Sequence, residues 1–236
     1  MTASSFWTFR AIRDLAARAF HDEVHLLSAL DVYAFDPRLE SRQIHLTFDD
    51  GPHLVNTPTL LDTLKEQGVL ATFFVQGRNL ETPEAQKLLD RIASEGHQIG
   101  NHTYSHLHLT ELAAQQIREE ISKTEKLIGA ADRGIKIFRP PFGDHNSLVD
   151  QIAQDLGYSL VLWNVDTFDW HPKFQSCWVD HAIARVATHK YSLVLAHDTL
   201  VTTVDQVASF VTNIRELSGS RLIQYSEAFP QELVLT

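Results

Sequence analysis

The chain has 236 residues, 44% hydrophobic and 21% charged, ordinary proportions for a globular protein with a sizeable core and a length that suits one large α/β barrel. Its formal net charge of -10 offers no basic field to a nucleic-acid backbone or an anionic membrane, so neither is expected as main partner. Cys177 is the only cysteine, which excludes an intramolecular disulfide and leaves the fold independent of an oxidising compartment.

In chain order, Phe6, Phe9, Ile12, Leu15 and Ala16 recur at helical spacing, and residues 1–40 are expected to form a helical extension packed on a single domain spanning 41–236. A membrane-surface helix is the rival reading of that segment. Arg10, Arg13, Asp14 and Arg18 break each apolar run before it reaches signal-peptide or membrane-span length. A cytoplasmic protein is therefore expected, although an exported wall enzyme without its leader would read the same. Short apolar or β-branched runs at 43–48, 70–75, 97–101, 135–138, 159–165, 192–196 and 221–225 read as buried strands. Helical periodicity occupies 57–68, 83–95, 110–129, 146–156, 175–188 and 203–217, with Gly68, Gly96, Gly129 and Gly157 as C-terminal punctuation. Alternation seven strands deep predicts parallel strands with helical crossovers, and a barrel more than an open sheet.

Polar residues follow these runs in a pattern that stability alone does not explain. Asp49 and Asp50 follow the first, His102 the third, Arg139 the fourth, Asp166 the fifth, and His197 and Asp198 the sixth. Ligand sites of parallel α/β folds gather at the carboxyl ends of strands, so these residues should converge. In "NHTYSH", His102 and His106 stand four apart and can address one ion. With 13 histidines in the chain such a pair is weak by itself, and "HDEVH" supplies a second in His21 and His25. That second pair lacks the Glu of a zinc-protease motif and reads as a solvated face. An aspartate beside His102 and His106, with open positions for water and substrate, makes a plausible catalytic zinc site. The adjacent Asp49 and Asp50 then have a reason: one binds the ion and the other accepts a proton from water, while Gly51 and Pro52 hold the turn.

"TFDDGP", "HTYSH", "RPPFG", "DTFDW" and "LAH" stand in the order and approximate spacing of the five motifs of the polysaccharide deacetylases, carbohydrate esterases built on the NodB homology domain, from about Gln43 to Tyr225. The resemblance is strong in "RQIHLTFDDGPH", which looks like the corresponding segment of nodulation-type chitooligosaccharide deacetylases. The resemblance implies a distorted (β/α)7 barrel of parallel strands. It implies Asp49 as catalytic base, Asp50, His102 and His106 as metal ligands, and Arg139 as the partner of the base. It further implies the Phe142 backbone N–H as oxyanion donor, His197 as general acid and Asp166 as the residue that tethers it. Pro141, Trp170 and Leu195 correspond to substrate-contacting positions, with Leu195 marking the pocket for an acetyl methyl. The implied cofactor is a divalent metal, zinc first, with cobalt and nickel also suited to such ligands. The implied partner is an N-acetylated glycan of chitooligosaccharide or peptidoglycan type; the sequence is silent on oligomeric state. Rivals are another small amide as substrate, or a catalytically silent sugar-binding module.

Overall fold

A computed structural model describes residues 41–131, 136–224 and 234–235. The expected helical extension over residues 1–40, and with it His21 and His25, lies outside the described residues. Among the described residues no helix is long and apolar enough to cross a membrane.

The first strand, β1 (Arg42–Asp49), shows why the chain builds a barrel. Its residues alternate in character as well as direction. Ile44, Leu46 and Phe48 join the main core cluster, together with Leu60, Leu61 and Leu64 of helix α1 (Asn56–Glu66) and Val207, Phe210 and Ile214 of α6 (Val201–Glu216). His45, Thr47 and Asp49, on the opposite face, are also buried, but among hydrogen-bonding partners. His45 meets Thr72 Oγ1 at 2.8 Å, and the Thr47 hydroxyl donates to the Val194 carbonyl at 2.7 Å. A strand buried on both faces in this way belongs inside a parallel sheet covered by helices.

The remaining strands are β2 (Thr72–Val75), β3 (Gln98–Asn101), β4 (Ile137–Phe138), β5 (Ser159–Val161), β6 (Val165–Asp166), β7 (Tyr191–His197), β8 (Ser220–Leu222) and β9 (Val234–Leu235). Helices α2 (Pro83–Ser94), α3 (Ala114–Ile128), α4 (Ser147–Asp155) and α5 (Trp178–Val186) complete the set. The sheet order is β6-β7-β1-β2-β3-β4-β5, parallel throughout, with β9 antiparallel on β5 and β8 parallel to the lower half of β1. This is the distorted (β/α)7 barrel the motifs imply. It departs from the expected strands in two places, the first being the added antiparallel strand β9, which no expected run covered. In the second, the run 159–165 is not one strand but two, β5 and β6, which sit at opposite ends of the parallel part of the curled sheet. Between them the chain leaves the ladder, and Asn164 docks it sideways: its Nδ2 donates to the Tyr191 carbonyl and its Oδ1 accepts from the Leu193 N–H, both at 2.8 Å.

Helix ends follow local chemistry. Thr82 caps α2 by accepting the Ala85 N–H at 3.2 Å ahead of Pro83, and Asn146 caps α4 by accepting from Leu148 and Val149. Gly68 and Gly157 take φ of 60° and 80° past α1 and α4, as their placement in the sequence predicts.

At the base of the barrel Arg42, 2% exposed, donates from Nε to the Ala187 carbonyl at 3.1 Å and from Nη1 to the Ser218 carbonyl at 2.8 Å, tying β1 to the ends of α5 and α6. Substitution Arg42→Met strands those carbonyls, and urea unfolding should show a loss of about 2–4 kcal/mol.

Candidate active site

The register of β1 against β7 sets Asp49 beside His197, and its register against β2 sets it beside Phe74. Asp49, 3% exposed, is held by Arg139: Nη1 donates to Asp49 Oδ1 and to Thr47 Oγ1, both at 2.7 Å. Arg139 Nε and Nη2 donate to the carbonyls of Val161 and Leu162 at 3.1 and 2.9 Å, and its guanidinium lies 4.0 Å over the Phe74 ring. Asp49 Oδ2 is thereby left facing the site, 3.7 Å from His102 Nε2.

Asp50 turns away from its neighbour by taking φ of 74°. Gly51 must follow, because a Cβ there would lie 2.1 Å from an oxygen of Asp198. Asp50 Oδ1 lies 3.4 Å from His102 Nε2 and 3.1 Å from His106 Nε2, and it is buried with no hydrogen bond of its own. Burial opposes its charge, yet His102 and His106 hold the Asp50 carboxyl well below the usual range. His102 directs Nδ1 to the Arg139 carbonyl at 2.7 Å, which assigns the proton to Nδ1 and leaves Nε2 as a ligand. The ligand atoms of Asp50, His102 and His106 all lie within 4.8 Å of one another. Donors on a tetrahedral zinc with bonds of about 2.0–2.1 Å would stand roughly 3.3 Å apart, so the residues present fit a divalent ion.

The tether of His197 is Asp169, not Asp166. Asp169 Oδ1 accepts from His197 Nδ1 at 2.7 Å, while Oδ2 accepts the His197 N–H at 2.8 Å and the Thr203 hydroxyl at 2.6 Å. Asp166 ends β6 and folds its carboxylate back onto the Phe168 N–H at 2.8 Å. Phe168 then takes φ of 54°, reversing the chain and carrying Asp169 to full burial beside His197. Asp166 still lines the cavity, and burial raises its pKa. The stretch "DTFDW" offers two carboxylates three apart, and only this reversal selects between them. Burial would lower the His197 pKa, but the bond to Asp169 and the charges of Asp169, Asp49 and Asp50 raise it to about 9.

Asp49, Asp50, His102, His106, Asp166 and His197 line one cavity of about 470 Å³, a size suited to a small ligand or one sugar unit, with Arg139 and Asp169 buried behind it. Leu195, Trp163 and Trp170 form its apolar wall, and Phe142 and His106 another side. Phe142 has φ of 60° and is 57% exposed, its ring edge-on to His106 and stacked at 4.0 Å on His108. Pro141 does not join the lining; it is buried in the turn that presents Phe142. His108 is exposed and stands outside the cavity lining, against the Phe142 ring. Asp198 was recognisable only as a strand-end residue. It is fully buried behind Gly51, accepts the Thr57 hydroxyl at 2.5 Å, and burial raises its pKa to about 7.

A parallel α/β barrel whose strand ends gather a paired carboxylate, an Asp-His-His ligand set and a carboxylate-held histidine defines a hydrolase-like class of site. The sequence pattern of the family described as polysaccharide deacetylase matches residues 36–161, and the chain belongs to that family. It is 42% identical over 139 residues to a peptidoglycan-N-acetylglucosamine deacetylase of Bacillus cereus, covering 58% of this chain and 50% of that one; the chain thus spans half the length of that relative. The Bc1960 peptidoglycan N-acetylglucosamine deacetylase has a similar structure, with a TM-score of 0.73 and 33% identity over 81% of this chain and 89% of that one. So has BA3943 of Bacillus anthracis, described as a CE4 family pseudoenzyme, with a TM-score of 0.66 and 28% identity over 78% of this chain and 64% of that one. The fold therefore does not certify catalysis, and the side chains must.

Because the folded-state pKa of His197 lies above its ordinary value, its contribution to stability is fully present below pH 6.5 and is lost as pH rises toward 9. The metal-free protein should lose up to about 1.4 kcal/mol per pH unit in that window, and Asp169→Asn should flatten the slope in urea unfolding at a series of pH values.

Proposed function

We propose that this protein hydrolyses the N-acetyl amide of N-acetylglucosamine-containing glycans, of peptidoglycan or chitooligosaccharide type, and releases acetate. The observation that carries this reading is the meeting of Asp49, the Asp50-His102-His106 set and the Asp169-held His197 in a single cavity. The relatives named for peptidoglycan N-acetylglucosamine favour that glycan.

Asp50, His102 and His106 would hold a divalent ion, zinc first and cobalt or nickel next. Bound there, such an ion supplies a Lewis acid and a water of lowered pKa. The chain's own groups perform the remaining work. Asp49 Oδ2 accepts the proton of the attacking water, while Arg139 fixes Oδ1 and so the direction of the carboxylate. The new C–O bond leaves negative charge on the carbonyl oxygen. The Phe142 N–H donates to it from the left-handed turn, a contact worth about 2.7–4 kcal/mol in comparable sites. His197 gives its Nε2 proton to the departing nitrogen as the C–N bond breaks, and Asp169 holds the ring and stabilises its charged form. Leu195 and the tryptophans offer the acetyl methyl a dry wall.

Acetate release from a panel of peptidoglycan fragments and chitooligosaccharides, measured before chelation, after chelation and after zinc is restored, tests the reading. Release that disappears and returns with the metal is expected; an ion-loaded protein inert on every glycan would sink the assignment and favour a silent binder. On the best substrate, Asp169→Asn should lower kcat by about 10²–10⁴-fold and Asp166→Asn by less than roughly tenfold. The reverse order would restore Asp166 as the tether.

A further inference from the structure

Two of the three candidate metal ligands, His102 and His106, lie on the loop that follows β3. Between β3 and the rim, Thr103 and His106 take φ of 64° and 59°, in the region that residues with a Cβ enter at a cost. Inside the loop the His106 N–H donates to the Thr103 hydroxyl at 3.2 Å, and the other ties come from outside it. Glu120 Oε2 accepts the N–H groups of Tyr104 at 3.1 Å and Ser105 at 2.7 Å, and Oε1 accepts the Ser105 hydroxyl. Glu120 lies in the middle of α3, so it caps no helix end. The neighbouring residue of α3 adds a second tie: Asn101 donates to the Ile121 carbonyl and accepts the Thr103 N–H, both at 2.9 Å.

We propose that Glu120 is a positioning residue for the metal site: an acceptor-only carboxylate that fixes the loop from Thr103 to His106 so that Nε2 of His102 and of His106 face Asp50. The inference rests on reading Asp50, His102 and His106 as a metal centre. Glu120 touches none of them and acts through the backbone N–H groups of Tyr104 and Ser105 and the Ser105 hydroxyl. Its chemistry is specific. An ionised carboxylate presents acceptors on both oxygens to three converging donors, whereas a glutamine of nearly the same shape must turn an amide N–H₂ toward one or more of them. The loop's outward carbonyls are also engaged, since the N–H groups of Gly77 and Arg78 donate to Thr103 and Tyr104 at 2.9 and 3.0 Å, so release of the Glu120 side frees one edge of an otherwise pinned segment.

The test is titration of the ion-free full chain with cobalt(II), following the visible absorption band and competing with a chelator for affinity. Glu120→Gln should weaken cobalt binding by about 10–100-fold with an altered band, while its ion-free unfolding midpoint stays within a few degrees of wild type. Glu119→Gln, whose exposed carboxylate accepts from Gln115 Nε2 on the helix surface, should bind as wild type. If Glu120→Gln does not fold, Ser105→Ala carries the test by removing one donor without touching α3, with an expected loss of about tenfold. Cobalt affinity and spectrum unchanged in both variants would overturn the positioning role. A wild-type chain that binds no cobalt would instead overturn the metal centre and the positioning role with it, a different pattern from the first failure.

Discussion

Everything at the top of the barrel depends on the burial of one guanidinium. Arg139 is fully buried, and the charge it carries would be costly there without partners. Its hydrogens go to Asp49, Thr47, Val161 and Leu162, so one side chain joins β1 to the far end of β5 across the barrel interior. Its own carbonyl fixes the proton of His102 on Nδ1. The direction of the proposed base, the tautomer of a proposed ligand and the bridge across the barrel are thus a single network. A buried pair of this kind is weak evidence for stability, since a well-packed apolar substitute often does as well. Its presence is better explained by what it orients.

The second constraint is the density of negative charge. Asp49, Asp50, Asp166, Asp169 and Asp198 all lie within the strand-end loops around one cavity, and the structure treats each differently. Arg139 takes Asp49 and His197 takes Asp169, while His102 and His106 flank Asp50. Asp198 accepts only a hydroxyl, that of Thr57, and burial pushes its pKa to about 7 against the pull of that bond and of His197. The same field keeps a proton on His197, so the arrangement that repels anions also prepares an acid. A cation held by Asp50 would offset part of that field.

Much of this was legible in sequence because the determinants are local. The alternation of "IHLTFD" encodes both the outer apolar face and the inner polar ladder of β1, and strand-end placement singled out Asp49, His102, Arg139 and His197. What stayed hidden was set by chain reversals. Nothing in "SLVLWNV" marks the exit at Asn164 that sends β6 to the other end of the parallel sheet, because both halves are equally apolar and β-branched. Nothing in "DTFDW" marks the positive φ at Phe168 that exchanges Asp166 for Asp169. Glu120 is one of six charged residues in "REE" and "SKTEK" on an amphipathic helix, and only its meeting with Tyr104 and Ser105 across 15 residues or more distinguishes it.

Backbone strain maps the same site independently of its chemistry. Among the described residues, the non-glycine positions with positive φ are Asp50, Thr103, His106, Phe142 and Phe168. Each lies in a strand-end loop that builds the cavity, and none in the rest of the barrel. Such conformations cost about 1–3 kcal/mol each and persist only where the surroundings over-determine them. Here the surroundings are identifiable: Asp198 packed behind Gly51, Asn101 and Glu120 around the histidine loop, Pro141 and His108 about Phe142, Asp166 closing on the Phe168 N–H. Stability for its own sake would have relaxed these turns by placing glycine in them. Side chains are kept there because the αL backbone is what aims Asp50 and His106 at a common point and turns Phe142 toward the cavity, so the core beneath must carry a cost that only the site's geometry justifies.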